Sequence, residues 1–259
     1  MFKAIASEIS DTWTITKRNL LRYVRLPRLL VFSSIQPIMF LVLFNYVFGG
    51  AVRIGAVPGG KYINFLLPGL LAQVVMFGAI QTGIGLADDM SRGIVDRFRS
   101  LPMSRAAVMA GRTLSDTIRN LVVIGIMIGV GSLMGFRFQH GALNAVGMIG
   151  VLLLYGFAFS WIAAVIGMAS GDTETAQLAG FLMVFPLTFA SAVFVPTQNM
   201  PGWLQAFANN QPVTHVVTAA RELALGIPGN GAVWKIALWA IGILIVFVPL
   251  ATNRYKRSV

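Results

Sequence analysis

Few side chains in this sequence have the types and the spacing that chemistry requires. Residues 55–62 show the glycine and lysine spacing of a phosphate-binding loop, but Tyr62 stands where Ser or Thr would bind magnesium. His140 and His215 have no metal-ligand pattern around them, and the chain contains no Cys. We therefore predict no catalytic residue, no metal site and no cofactor bound by this chain.

The composition indicates a membrane protein. Hydrophobic residues make up 56% and charged residues 11% of the chain, whereas a soluble domain carries about 25% charged residues. These values exclude an ordinary soluble enzyme, a disordered tail and a secreted disulfide scaffold. They predict an all-α protein that crosses the bilayer several times. In a membrane protein, an excess of basic residues indicates how the chain is oriented across the bilayer. The net charge of +11 is therefore no sign of a nucleic-acid partner, and none is expected.

Six segments are long and apolar enough to cross about 30 Å of hydrocarbon. They are residues 29–48, 62–86, 115–135, 142–168, 176–195 and 232–251. Most of the 20 Lys and Arg residues lie before the first segment, between the second and third, and after the sixth. Because cytoplasmic loops are enriched in Lys and Arg, both termini are predicted to be cytoplasmic. An even number of spans agrees with that orientation.

Residues 1–28 are predicted to be a separate cytoplasmic helix ahead of the membrane domain, residues 29–259. Apolar residues and Trp13 recur at spacings of three and four from Ile5 to Val24, and basic residues occupy the other side. This pattern predicts an amphipathic helix that lies along the inner membrane surface. Two interpretations stay open: a basic anchor for anionic lipid, and an elbow helix that also moves against a partner.

Two connections between the spans carry structure of their own. The cytoplasmic loop 87–114 mixes charges with Phe98 and Leu101, which predicts a short amphipathic helix that ends at Pro102. A solvated connector is one interpretation. However, the apolar side chains would have to be shielded from water by another surface, which favours a cytoplasmic protein partner. The external connection 196–231 holds two apolar pieces that are too short to span, so we predict two short re-entrant helices.

The polar residues expected near mid-membrane are uncharged amides, such as Gln36, Asn45 and Gln73. The carboxylates near the spans, including Asp116, are expected at helix ends on the cytoplasmic side. Ion-coupled carriers usually keep ionisable groups in the membrane interior. The pattern therefore argues against a proton- or sodium-driven carrier and leaves a passive channel or a pump driven by a partner.

The second half of the chain resembles a known family. The segments are LTFASAVFVP at 187–196, MPGWL at 200–204 and QPVTH at 211–215, followed by Arg221. They resemble ABC-2 permeases, and most of all the daunorubicin-resistance type of drug-export permease. The cytoplasmic segment 93–105 also resembles the family's loop, although Ile94 replaces the usual Thr and Asp96 the usual Glu.

The resemblance implies the membrane subunit of an ATP-driven exporter in the cytoplasmic membrane of a bacterium. ATP and magnesium would bind to a separate cytoplasmic ABC ATPase subunit, so this chain would not itself be an enzyme. A second permease, either another copy or a related chain, and membrane lipid would be the other partners. Its cargo would be lipophilic drugs, antibiotics or lipids. A polysaccharide or glycolipid exporter is the first alternative, and a partner-free channel or membrane enzyme is the second.

The same resemblance implies a role for three sets of residues. The set that would contact the ATPase through a coupling helix is Arg92, Gly93, Asp96, Arg97, Phe98, Leu101 and Pro102. The set that would line the substrate path is Gln36, Asn45, Gln73 and Phe185. The set that would close the external gate is Pro201, Trp203, Pro212, His215 and Arg221.

Overall fold

The computed structural model describes residues 2–25, 28–50, 61–93, 105–228 and 230–257. Within these ranges the chain is helical and contains no strand, which confirms the all-α prediction. The helices are α1 (Phe2–Arg25), α2 (Arg28–Phe48), α3 (Tyr62–Ser91), α4 (Arg105–Leu133), α5 (Gly141–Ser170), α6 (Thr173–Phe189), α7 (Gly202–Asn210), α8 (Pro212–Leu225) and α9 (Ala232–Arg257), with a short 3₁₀ helix at Thr197–Asn199.

Four helices of the described chain are both long and apolar enough to cross a membrane: α3, α4, α5 and α9. In α2 the apolar stretch Ser33–Phe48 is shorter. Helix α6 has 17 residues, which is about 26 Å at a rise of 1.5 Å per residue and falls just short of the hydrocarbon thickness. These two helices coincide with the first and fifth predicted segments.

Four helix boundaries differ from the prediction by five residues or more. Helix α3 ends at Ser91 rather than at 86, and α9 ends at Arg257 rather than at 251. Helix α4 begins at Arg105 rather than at 115, because hydropathy marks where a helix enters the membrane and not where it starts. Helix α6 ends at Phe189 rather than at 195, because the backbone groups that follow form hydrogen bonds with side chains instead of continuing the helix. The Ser191 hydroxyl donates to the Thr188 carbonyl at 2.5 Å, and the Val193 N–H donates to the Ser191 oxygen at 3.3 Å.

Helix α3 lies at the centre of the bundle, where it contacts α2, α4, α5, α6 and α8. Its crossing with α5 is a backbone contact made possible by two glycines. A Cβ added to Gly167 would lie 2.1 Å from the Gly83 carbonyl oxygen, so no larger side chain fits there. Small residues at such crossings let membrane helices approach closely.

Helix α1 packs along α4 through a second close approach. The Thr16 hydroxyl donates to the Gly111 carbonyl at 3.1 Å, and Ile15 is buried against the same glycine. In contrast, Ile9, Trp13 and Val24 of the predicted apolar stripe are exposed. Part of the predicted stripe therefore faces away from the bundle, whereas Thr16 of the same stripe packs against α4.

Candidate functional site

A cavity of about 150 Å³ lies among α2, α3, α4 and α6. Its lining on α3 extends from Leu70 to Ile84, which is about 21 Å along the helix axis. Gln36 and Gln73, two of the predicted substrate-path residues, line the cavity. Its volume suits a small apolar molecule or part of a larger one, since a cavity of about that size binds benzene.

The two other substrate-path residues lie outside the described lining. Phe185 contacts the cavity wall indirectly, with its ring centroid 5.8 Å from that of Phe77 in an edge-to-face arrangement. Asn45 lies near the end of α2, where its backbone carbonyl accepts a hydrogen bond from the Gly49 N–H at 3.0 Å.

A row of aromatic rings leads away from the cavity. Phe181, Phe185 and Phe189 share one face of α6, as their four-residue spacing predicts, with centroids 5.8 and 5.5 Å apart. Phe189 stacks on Phe194 at 5.2 Å, and Phe194 stacks on Phe44 of α2 at 4.8 Å. The row connects the cavity with the turn that follows α6 and offers a continuous apolar surface.

Two charged residues of α4 are buried inside the bundle. Asp116 and Arg119 lie well inside α4, and both are buried. The Arg119 Nη2 donates to the Gly78 carbonyl at 2.8 Å and to the Asn120 Oδ1 at 3.2 Å. Gly78 is near the middle of α3, so a guanidinium reaches the centre of the bundle. The sequence placed both residues at the start of the third predicted segment, 115–135, and α4 extends ten residues further toward the N-terminus.

Asp116 joins three helices of the bundle. Its Oδ1 accepts a hydrogen bond from the Tyr23 hydroxyl of α1 at 3.0 Å, and its Oδ2 accepts one from the Thr82 hydroxyl of α3 at 2.7 Å. Burial raises the pKa of Tyr23 and the Asp116 carboxylate raises it further, so Tyr23 keeps its proton and donates at neutral pH. Helix α1 is thus bonded to the helices that form the cavity.

The predicted external gate contains a buried arginine clamp. The Arg221 Nε donates to the Phe65 carbonyl at 3.0 Å and its Nη2 donates to the Val193 carbonyl at 3.1 Å. The guanidinium carbon also lies 3.5 Å from the centroid of the Phe65 ring. Burial lowers the pKa of Arg221 to about 9, which leaves the side chain protonated at neutral pH. Arg221 therefore ties α8 to α3 and to the turn after α6.

Further hydrogen bonds hold the same turn from α8 and α3. The Gln211 amide donates to the Ala190 carbonyl, and the Ala192 N–H donates to the Thr214 hydroxyl at 3.2 Å. The Tyr62 hydroxyl donates to the Phe194 carbonyl at 3.2 Å. Several residues of the family-like segments thus converge on one structural unit, which their separation along the chain did not reveal.

The remaining gate residues do not all join this unit. Pro212 is buried at the first turn of α8, and His215 is half-buried on the same helix. Burial and the nearby Lys235 lower the pKa of His215. Pro201 is the N-cap of α7, and Trp203 on that helix is 76% exposed. Trp203 is therefore not part of the clamp.

At the opposite end of α3, two of the coupling residues are described. The Arg92 Nε forms an ion pair with the Asp88 carboxylate at 2.8 Å, and Gly93 ends the helix with a φ of +67°. Arg112 on α4 forms an ion pair with Asp89. The other coupling residues, which are Asp96, Arg97, Phe98, Leu101 and Pro102, lie outside the described residues. Residues 55–60 of the loop that mimics a phosphate-binding motif also lie outside them.

Comparison with known proteins identifies the family. A model of the ABC-2 type transporter family matches residues 10–225. The chain belongs to this family. A daunorubicin resistance ABC transporter permease protein of Streptomyces coeruleorubidus is 36% identical to this ABC-2 chain over 98% of the chain and 89% of its own length. A "Probable doxorubicin resistance ABC transporter permease protein" of Mycobacterium tuberculosis is 28% identical over 96% of the chain and 90% of its own length.

Proposed function

We propose that the chain is the membrane-spanning subunit of an ATP-driven exporter that moves lipophilic drugs, antibiotics or lipids out of the cytoplasm or the inner leaflet. The observation that carries this proposal is the nearly full-length similarity to a daunorubicin resistance permease protein. The cavity beside a row of phenylalanine rings supports it, because such surfaces accept lipophilic molecules.

In this proposal the membrane domain has six spans, with α2 and α6 as the first and fifth, and both chain ends in the cytoplasm. Helices α7 and α8 are the external re-entrant pair, and α1 is the elbow helix on the inner surface. The exposed Ile9 and Trp13 of α1 support that placement, because they present an apolar face away from the bundle. A second permease, identical or related, completes the transporter in the bacterial cytoplasmic membrane.

ATP and magnesium bind to a separate cytoplasmic ATPase subunit in this proposal, and residues 92–102 dock into it as the coupling helix. Phe98 and Leu101 are the apolar contacts, and Asp96, Arg97 and Arg99 are the polar ones. The loop connects α3 to α4, which both line the cavity. Movement of the ATPase would therefore reach the substrate path through two helices that are rigidly packed together.

Substrate enters between α2, α3 and α6, and the aromatic row is its path toward the external side. Gln36, Gln73 and Phe185 contact it along the way, and the Arg221 clamp is part of the external gate. A polysaccharide exporter would need a continuous polar channel. The lining of the cavity is mostly apolar, which favours a small amphiphile instead.

The coupling proposal is tested by Phe98→Asp. The charged side chain should prevent docking, so the variant should insert into membranes but no longer co-purify with its ATPase subunit in mild detergent. Phe207→Asp on α7 is the matched control, because Phe207 is exposed and lies on the proposed external side. It should co-purify with the ATPase as the unmodified chain does. Normal recovery of the ATPase with Phe98→Asp would contradict the coupling role.

The identity of the complex is tested by purifying the tagged chain from native membranes and identifying the bound proteins. A stoichiometric ATPase subunit is the expected result. A chain that emerges alone under several detergent conditions would refute the exporter proposal and favour a partner-free channel.

A further inference from the structure

The charge inside the cavity is positive. Among the described residues that line it, Arg119 is the ionisable one, and the others are apolar residues, amides, a serine and a glycine. Arg119 is 7% exposed, so bulk water screens its charge weakly. A guanidinium stays cationic at neutral pH. A molecule in the cavity therefore meets the cationic guanidinium of Arg119.

Arg119 is not neutralised by an ion pair in the described part of the chain. Its hydrogen bonds go to two neutral acceptors, and both are made by Nη2, so they leave Nε and Nη1 for another acceptor. Asp116 lies three residues earlier in α4, where its carboxylate accepts hydrogen bonds from the Tyr23 and Thr82 hydroxyls and forms no ion pair with Arg119 among the described residues. Asp116 is also not among the residues that line the cavity.

Gln73 offers a second unsatisfied polar group. It is 3% exposed and lines the same cavity, yet its side-chain oxygen has no hydrogen-bond partner. Burying a polar atom without a partner is costly, so a molecule that supplied one would bind more tightly. Gln73 precedes Gly78, whose carbonyl accepts from Arg119, by five residues, which is about 7.5 Å along the axis of α3.

We propose that this cavity binds anionic amphiphiles. Arg119 is the counter-ion for an acidic head such as a carboxylate or phosphate, and the Gln73 amide bonds a second polar group along the same molecule. Phe77 and Phe181 pack against the apolar body, since both rings line the cavity with centroids 5.7 Å apart. This inference rests on the proposed function only in treating the cavity as part of the substrate path.

The expected preference follows from the charge. An anion forms charge-assisted hydrogen bonds with the guanidinium, a neutral ester forms weaker ones, and an ammonium is repelled. A bond of that kind corresponds to roughly a tenfold or larger gain in affinity. The site should therefore rank otherwise identical molecules in the order anion, neutral, cation.

Three pyrene probes test this order: 1-pyrenebutyrate, its methyl ester and 1-pyrenebutylamine. The purified full-length chain, with any ATPase that accompanies it, is placed in phosphatidylcholine nanodiscs. Binding is measured by pyrene fluorescence anisotropy after the signal of empty nanodiscs is subtracted. We expect the carboxylate to bind at least tenfold more tightly than the ester, and the amine to bind most weakly. Equal affinity for carboxylate and ester, or tighter binding of the amine, would overturn the proposal.

Variants of the lining test whether the anion preference comes from the charge of Arg119 or from the shape of the cavity. Arg119→Gln should bind the ester like the unmodified chain but lose the preference for the carboxylate, whereas Arg119→Lys should keep it. Gln73→Leu should keep the preference too, because it removes no charge. Arg137→Gln is the matched control, since Arg137 is exposed and does not line the cavity. A preference that survives in Arg119→Gln would overturn the role of Arg119.

Two readouts guard against ambiguous results. If Arg119→Gln does not fold, the probe order of the unmodified chain and of Arg119→Lys still decides the question. Co-purification with the ATPase is measured on the same samples. If the unmodified chain retains its ATPase but shows no anion preference, this inference alone is refuted. If the unmodified chain shows the preference but no ATPase accompanies it, the exporter proposal alone is refuted.

Discussion

Replacing Arg221 with alanine removes the clamp that joins α8, α3 and the turn after α6. The side chain is 7% exposed and donates to the carbonyls of Phe65 and Val193. Alanine can neither reach these acceptors nor cover the Phe65 ring.

The cost can be estimated from these contacts. Each buried carbonyl left without its donor costs about 1–3 kcal/mol, and loss of the cation–π contact adds about 0.5–2 kcal/mol. Part of this is offset because a buried guanidinium no longer has to be desolvated. We expect a net loss of about 3–5 kcal/mol, or roughly 6–20 °C in the unfolding midpoint for a chain of this size.

Thermal unfolding in nanodiscs measures the effect, with three variants compared side by side. Arg221→Ala should show the full loss, and Arg221→Lys an intermediate loss because an ammonium cannot span two carbonyls as a guanidinium does. Arg137→Ala, at an exposed arginine, should change the midpoint by less than about 2 °C. A midpoint for Arg221→Ala within about 2 °C of the unmodified chain would refute the reasoning, because the clamp would then contribute nothing.

Three further predictions follow from other parts of the chain. Gly167→Ala should lower the unfolding midpoint by several degrees, because its Cβ would meet the Gly83 carbonyl. Gly150→Ala is the control, since its Cβ would meet no atom within 4 Å. Equal midpoints for the two variants would contradict the close crossing. The pKa of His215 is lowered by burial, so on acidification the unfolded chain takes up a proton before the folded chain does. The stability of the fold should therefore fall as pH drops below about 6.5. His215→Gln should reduce that fall when thermal unfolding is compared at pH 7.5 and 5.5. Gly60→Ala combined with Lys61→Ala should leave ATP binding and ATP-dependent transport unchanged, and loss of either would show that the loop is a nucleotide site.

Much of the fold could be predicted from periodicity and hydropathy. The apolar runs located the helices, and the two short external helices were expected near the residues where α7 and α8 occur. The helix ends were harder to predict, because a helix can continue past the membrane surface, as α4 does, or stop early, as α6 does. The end of α6 depends on hydrogen bonds of the Ser191 side chain, which a hydropathy average does not register.

The candidate site was predictable only in part. Gln36 and Gln73 were chosen as isolated amides in apolar helices, and both line the cavity. Asn45 met the same criterion but does not line it, because the criterion ignores which helix face meets a neighbour. Arg119 was counted with the cytoplasmic loop, since a hydropathy window penalises a charge without knowing that the Gly78 carbonyl receives it.

The sequence by itself determined the class of molecule, since the apolar runs, the distribution of Lys and Arg and the family-like segments can be read without coordinates. Tertiary structure alone decided which polar groups meet. It brought Arg221 to Phe65, Tyr23 to Asp116, and Arg119 to the cavity wall. The physical reason is that hydropathy and periodicity depend on near neighbours in the chain. A buried charge is stabilised by acceptors on other helices, which only packing brings within reach.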